Sequence, residues 1–151
     1  VAQRTPVCSG HLEPAVTTLL LKGLARSDNT LTLMDDLNLH GFHGTYDYAF
    51  VPVEMMTSGR LRSHGIAFVN FLTTELAMEA MRSLKLHRRG KVAGLTWASH
   101  HGIAANLSQY KERTLAQGDQ VCMAPLARPW VVRGDSRTPV NFSTTLDPTW
   151  Q

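Results

Sequence analysis

His64-Gly65-Ile66-Ala67-Phe68-Val69-Asn70-Phe71 is the stretch on which the fold is decided. It is short and β-prone, with a glycine at its second position, and its side chains divide into two sets. Successive residues of a strand leave opposite faces. Ala67, Val69 and Phe71 are therefore expected to enter a core, while His64, Ile66, Phe68 and Asn70 face the other way.

Elements on either side complete a pattern. Upstream, Val16 to Leu21 is an apolar run ended by Gly23, which reads as a strand. Asn29 or Thr30 can cap a helix with Leu33, Met34 and Leu37 on one face, and Gly41 stands where its C-terminus needs a glycine. Tyr46 to Val53 reads as a second strand, followed by a Thr57-Ser58-Gly59 loop. Beyond the octamer, Thr73 can cap a helix carrying the clearest apolar stripe in the chain: Leu76, Ala77, Ala80, Met81 and Leu84. Val92 to Ser99 supplies a fourth strand. Ile103, Leu107, Tyr110 and Thr114 then recur at helical spacing, with Gly118 as a candidate cap. Four prolines after Asp119 break up the remainder, which still carries Trp130, Phe142 and Trp150.

The order strand, helix, strand, strand, helix, strand, with the octamer in the third strand, resembles the RNA recognition motif (RRM). Leu19-Leu20-Leu21-Lys22-Gly23-Leu24 would be the partner hexamer, placing Leu20 and Lys22 on the octamer's open face. A narrower resemblance joins Thr17 to Lys22, His40-Gly41-Phe42-His43-Gly44-Thr45-Tyr46-Asp47 and Gly65 to Phe71. Together these look like the C-terminal RRM of Mei-two-like RNA-binding proteins. Arg128-Pro129-Trp130 and Pro139-Val140-Asn141-Phe142 are loosely similar to that family's C-terminal extension. The resemblance implies an α+β, ferredoxin-like βαββαβ sandwich: a four-stranded antiparallel sheet, two helices, an extra C-terminal helix and an extended tail. It also implies RNA-binding ancestry, no cofactor and no catalytic residues. The expected divisions are a leader over 1–14, the RRM over 15–101, the helix over 102–118 and the tail over 119–151.

The open face departs from the RRM pattern. It keeps one aromatic, Phe68; Ile66 and Leu20 stand where others carry aromatics. Stacking on an aromatic contributes about 1–3 kcal/mol per base, so a weakened single-strand binder is one expectation. A patch of Leu20, Ile66 and Phe68 also suits a protein contact, or a lid formed by the last helix. Tyr46, Tyr48 and Phe50 alternate with Asp47, Ala49 and Val51. Because Asp47 is a poor core residue, the aromatic set is expected to face the core.

Charge adds to the RNA reading. The chain has 15 Lys and Arg against 12 Asp and Glu. In the strand order 4-1-3-2, Lys22, Arg60, Arg62, Arg88, Arg89 and Lys91 would gather at one end of the sheet, where they could grip phosphates. Candidate RNA contacts are therefore Leu20, Lys22, Arg60, Arg62, His64, Ile66, Phe68, Arg88, Arg89 and Lys91. Candidate protein-partner anchors are Trp130, Phe142 and Trp150, because tryptophan is enriched at interface hot spots. The expected partner is single-stranded RNA or, on the rival reading, the protein subunits of a larger assembly that uses a repurposed RRM.

Other chemistries find little footing. His40-x-x-His43, His100-His101 and Cys8-x-x-His11 do not make a four-ligand set at zinc-like spacing. Phosphate-cradling glycine loops and a nucleophile elbow are absent from the sequence, so neither an enzyme nor a small-molecule substrate is expected. No apolar run approaches the roughly 20 residues of a membrane span. Two widely separated cysteines suggest a reducing intracellular compartment. The start at Val1 leaves an upstream targeting segment, and so an organelle, open.

Overall fold

A computed structural model describes residues 15–87, 94–117 and 124–140. Strand β1 (Thr18–Lys22) leads to helix α1 (Thr30–Leu37), which continues into a π-helical turn over Asn38–Phe42. Asn29 caps α1 reciprocally: its side chain accepts from the Thr32 N–H, while its own N–H donates to the Thr32 hydroxyl. The turn ends through Gly41 at φ 92°, a backbone conformation that favours glycine. Next come β2 (Tyr46–Phe50), a two-stranded ribbon of β3 (Val53–Met55) and β4 (Leu61–Ser63), β5 (Ile66–Phe71), α2 (Thr74–His87) and β6 (Gly94–Trp97). Helix α3 (Ile103–Gln117), a 3-10 turn (Pro125–Ala127) and strands β7 (Trp130–Arg133) and β8 (Ser136–Pro139) close the described chain.

Among the described residues, six strands form one sheet in the order β6-β1-β5-β2-β7-β8. Its first four members have the expected 4-1-3-2 order, antiparallel throughout. The fold is thus the α+β ferredoxin-like sandwich with an added helix. The tail lengthens the sheet: Trp130–Pro139 folds into a hairpin whose β7 pairs with β2. Gly134, at φ 59°, opens the two-residue turn between Arg133 and Ser136, as mirror-image hairpin turns require. Pro139 sits on the outermost strand, where a missing N–H costs no ladder bond. Arg137 on β8 ties the hairpin to α1 through Asp35 at 2.9 Å.

The main core lies between the sheet and α1 and α2. Leu19, Leu21, Ala67, Val69 and Phe71 of the sheet meet Leu33, Met34 and Leu37 of α1 and Ala77, Ala80 and Leu84 of α2. Phe71 receives Phe42 and Tyr46 edge-on, with centroids 6.4 and 6.3 Å away.

Strand β2 departs from the expected alternation. Its register against β5 shifts between Tyr46 and Tyr48, so that Tyr46 faces Phe71 and Tyr48 faces Asn70. This bulge inserts one residue and reverses the parity of the rest of the strand. Tyr46, Ala49 and Val51 join the main core, while Tyr48 and Phe50 turn to the opposite face. The expectation that all three aromatics share the core is therefore corrected. The Thr57-Ser58-Gly59 loop proves to be the tip of the β3–β4 ribbon.

Candidate nucleic-acid interface

The sheet's second face carries a core of its own. Helix α3 lays Leu107 and Tyr110 on Tyr48, Phe50 and Val131, with Val140 in the same cluster and Phe68 and Ile103 at its margin. Tyr110 meets Phe50 edge-on at 5.4 Å, and the Arg113 guanidinium lies 5.8 Å from the same Phe50 ring. The β2–β7 half of the face is consequently closed.

A polar network fixes α3 there. The Asn70 side-chain carbonyl accepts from the hydroxyls of Thr17 and Thr18, at 2.6 and 2.8 Å, and from the Gly102 N–H at 3.1 Å. Its amide donates to Asp47 at 2.8 Å. Asn106 donates to the Thr18 hydroxyl and to the Gly102 carbonyl, at 3.0 and 2.8 Å. His101 Nδ1 accepts from the backbone N–H groups of Thr17 and Thr18, both at 3.0 Å, so the ring proton sits on Nε2. Burial raises the Asp47 carboxyl, and the Asn70 amide opposes that shift.

The β6–β1 half is different. Leu20 pairs with Phe68 on one side and with exposed Thr96 on the other, and both Leu20 and Phe68 are half-buried. Ile66 is also half-buried and lies opposite Lys22, whose exposed side chain runs along Gly94. Leu20, Lys22, Ile66 and Phe68 thus share one reachable strip. His64 is exposed just before β5. The octamer glycine, Gly65, takes φ 84° as the chain turns into β5, and its carbonyl accepts from the Leu24 N–H.

His100 marks the boundary between the two halves. Its ring rests on Phe68 with centroids 5.4 Å apart and planes inclined at 39°. Burial holds its pKa below the ordinary 6.5; Asn106 opposes this, while His101 and Arg113 add to it. Among the described residues no donor reaches the buried Asn106 side-chain oxygen, which leaves it placed to favour a charged His100. Because the folded-state value is depressed, the unfolded chain takes up a proton first as pH falls through 6.5. Stability is therefore expected to be complete above that value and to decline below it until the folded-state value is reached. Asp47 contributes with the opposite sign. Melting temperatures between about pH 7 and pH 5 for the native chain and His100→Phe isolate the histidine. Equal slopes for the two proteins would contradict this account.

Of the basic candidates, Lys22, Arg60 and Arg62 lie among the described residues. Arg60 is exposed on the ribbon, whereas Arg62 is bonded to Glu54, its Nε 2.9 Å from the carboxylate. Arg62 holds the Glu54 carboxyl below its usual range. Arg88, Arg89 and Lys91 lie outside the described residues, as do Phe142 and Trp150. Trp130 packs back on its own domain: it lies against the main core, and its indole N–H donates to the Pro125 carbonyl at 3.0 Å. His40 bonds the Asp36 carbonyl at 2.8 Å, and no group of three potential metal ligands occurs among the described residues. Likewise, no described helix is long and apolar enough to cross a membrane.

Comparison with solved structures finds RRM domains. The second RRM of the yeast poly(U)-binding protein Pub1 is 24% identical, with 57% of this chain and 98% of that one covered and a TM-score of 0.44. The Rna15 RRM with bound RNA (GU) is 19% identical over 66% of this chain and 99% of that one, again at 0.44. The C-terminal RNA recognition motif of the hypothetical RNA-binding protein RBM19 is 21% identical, covering 66% and 92%, at 0.44. No protein-family model matches the sequence and no curated protein matches it, so the Mei-two-like likeness rests on the sequence motifs alone.

Proposed function

We propose that the chain is a non-catalytic RNA-binding module that holds a short single-stranded segment on the uncovered half of its sheet. The observation that carries this reading is the half-exposed strip of Leu20, Ile66 and Phe68 ending at the exposed Lys22. An apolar platform beside a cation is what a base and its phosphate need. Phe68 supplies the aromatic surface, Leu20 and Ile66 flank it, and Lys22 meets the backbone.

The test is binding of the purified chain to a pool of single-stranded RNA at two salt concentrations. Phe68→Ala is expected to weaken binding by about tenfold to a hundredfold, the value of one stacking platform. Lys22→Ala should make the dependence of log K on log salt shallower by about 0.7, one phosphate contact on a single strand. No binding even at low salt would sink this reading. It would favour the second one, an accessory subunit that meets protein, a reading supported only in that the burial of Tyr48 and Phe50 under α3 withdraws two aromatics from RNA.

A further inference from the structure

We propose that the open groove between the β1–α1 loop and the β3–β4 ribbon docks an extended acidic peptide of a partner protein, which adds a strand to β4 at Leu61 and gives carboxylates to Arg26 and Arg60. This docking needs no RNA on the sheet strip. The groove encloses about 820 Å³. Met56, Leu61 and Leu126 give it apolar surface, and Arg26 and Arg60 stand among its polar lining. Among the described residues, none of that lining is aromatic. A base stacks on aromatic rings, whereas a floor of leucine and adaptable methionine accepts an aliphatic side chain.

Strand register supplies the backbone edge. The Met56 N–H donates to the Arg60 carbonyl at 2.8 Å, and the His64 N–H to the Pro52 carbonyl at 3.0 Å. Arg60, Arg62 and His64 therefore turn their backbone groups toward β3, and Leu61 and Ser63 turn theirs away. The Ser63 N–H already meets the β1–α1 loop, donating to the Arg26 carbonyl at 2.8 Å. At Leu61 the two segments have parted, and no backbone partner occurs for its N–H or carbonyl among the described residues. An incoming strand finds one donor and one acceptor there, which is the unit of strand addition to a sheet edge.

Charge selects an acidic strand. Among the described residues, neither Arg26 nor Arg60 has a bonded carboxylate. Asp28 lines the groove, but its carboxylate accepts from the Ala25 N–H at 3.0 Å and so closes the loop that presents Arg26. Glu54 is bonded to Arg62. Arg60 follows a closed turn in which the Gly59 N–H donates to the Met56 carbonyl at 2.8 Å. Both arginines are thus exposed on ordered backbone, which limits the entropy lost on binding.

The probe is a peptide of about six residues, the length of a common strand, alternating glutamate with leucine and blocked at both ends. Titrated into the full chain and followed by NMR, it should bind saturably and slow exchange of the Leu61 amide by about tenfold. Methylating the peptide nitrogens of every second residue should abolish binding in one phase and spare it in the other, because only alternate residues face the edge. Arg26→Ala/Arg60→Ala should weaken binding about tenfold, two exposed ion pairs' worth, with an unchanged melting temperature. Phe68→Ala should leave peptide binding unchanged, so that groove and strip stand or fall separately. No binding up to about 1 mM peptide, the weak end of measurable affinities, would overturn the proposal. So would equal binding of a peptide with lysine for glutamate, or equal sensitivity to both methylation phases. Single-stranded RNA that displaced the peptide and bound the double variant more weakly would also overturn it, assigning the groove to nucleic acid.

Discussion

Asn70→Ala is expected to destabilise the protein by about 3–5 kcal/mol, measured by urea denaturation. Asn70 is only 3% exposed, so solvent is poorly placed to satisfy the groups it serves. Its loss leaves the hydroxyls of Thr17 and Thr18 and the Gly102 N–H without their acceptor, and takes a donor from Asp47. Each buried group left unsatisfied costs about 1–3 kcal/mol, and relaxation returns part of the sum. The Asp47 carboxyl should be pushed further up, because the interaction opposing the effect of burial disappears. Thr96→Ala, an exposed change on the same face, serves as the control and should stay within about 0.5 kcal/mol. If Asn70→Ala cost no more than that control, the network would not be what fastens α3 to the sheet.

Asn70 also shows what was legible in the sequence. The octamer's alternation assigned Ala67, Val69 and Phe71 to the core and Phe68 and Asn70 to the other face, as observed. Periodicity succeeds there because β5 is regular and paired on both sides. The stripe of α2 was equally readable, with Ala77, Ala80 and Leu84 buried. Strand β2 defeated the same method, since one bulged residue exchanges the two faces and no residue type at Asp47 announces it. The β7–β8 hairpin had a signal in Gly134-Asp135 between β-formers, but the flanking prolines outweighed it. A proline excludes a central strand, not an edge strand, and β8 is an edge.

For α3 the stripe was visible, but its destination was not. Leu107 and Tyr110 could have packed on either face of the sheet or on another molecule. Their true partners, Tyr48 and Phe50, had been assigned to the wrong side. The open face is therefore poorer in reachable aromatics than in aromatics: Tyr48 and Phe50 lie on it, beneath the helix. Among the RNA candidates, Leu20, Lys22, Ile66 and Phe68 come together because strand register fixes them.

If α3 and RNA compete for one face, a single substitution should move stability and affinity in opposite directions. Tyr110→Ala removes a ring that is 5% exposed and packed edge-on against Phe50. Truncating a buried aromatic costs about 3–5 kcal/mol, through lost burial and the cavity left behind. Such a loss loosens α3 and frees Phe50, with Tyr48 beside it, for stacking. Each base that gains an aromatic contact adds about 1–3 kcal/mol, less the cost of displacing the weakened helix. Under that competition RNA gains surface beyond the β6–β1 strip and its affinity rises, by about tenfold for one added contact, although the protein melts earlier. Leu107→Ala should act likewise, at about 2–5 kcal/mol of stability. Simple damage to the fold predicts that both quantities fall, and an interface confined to the β6–β1 strip predicts that affinity stays constant. Measured in parallel on one preparation, at a temperature where both variants remain folded, the sign of the affinity change decides whether α3 is a lid over binding surface or a permanent part of the core.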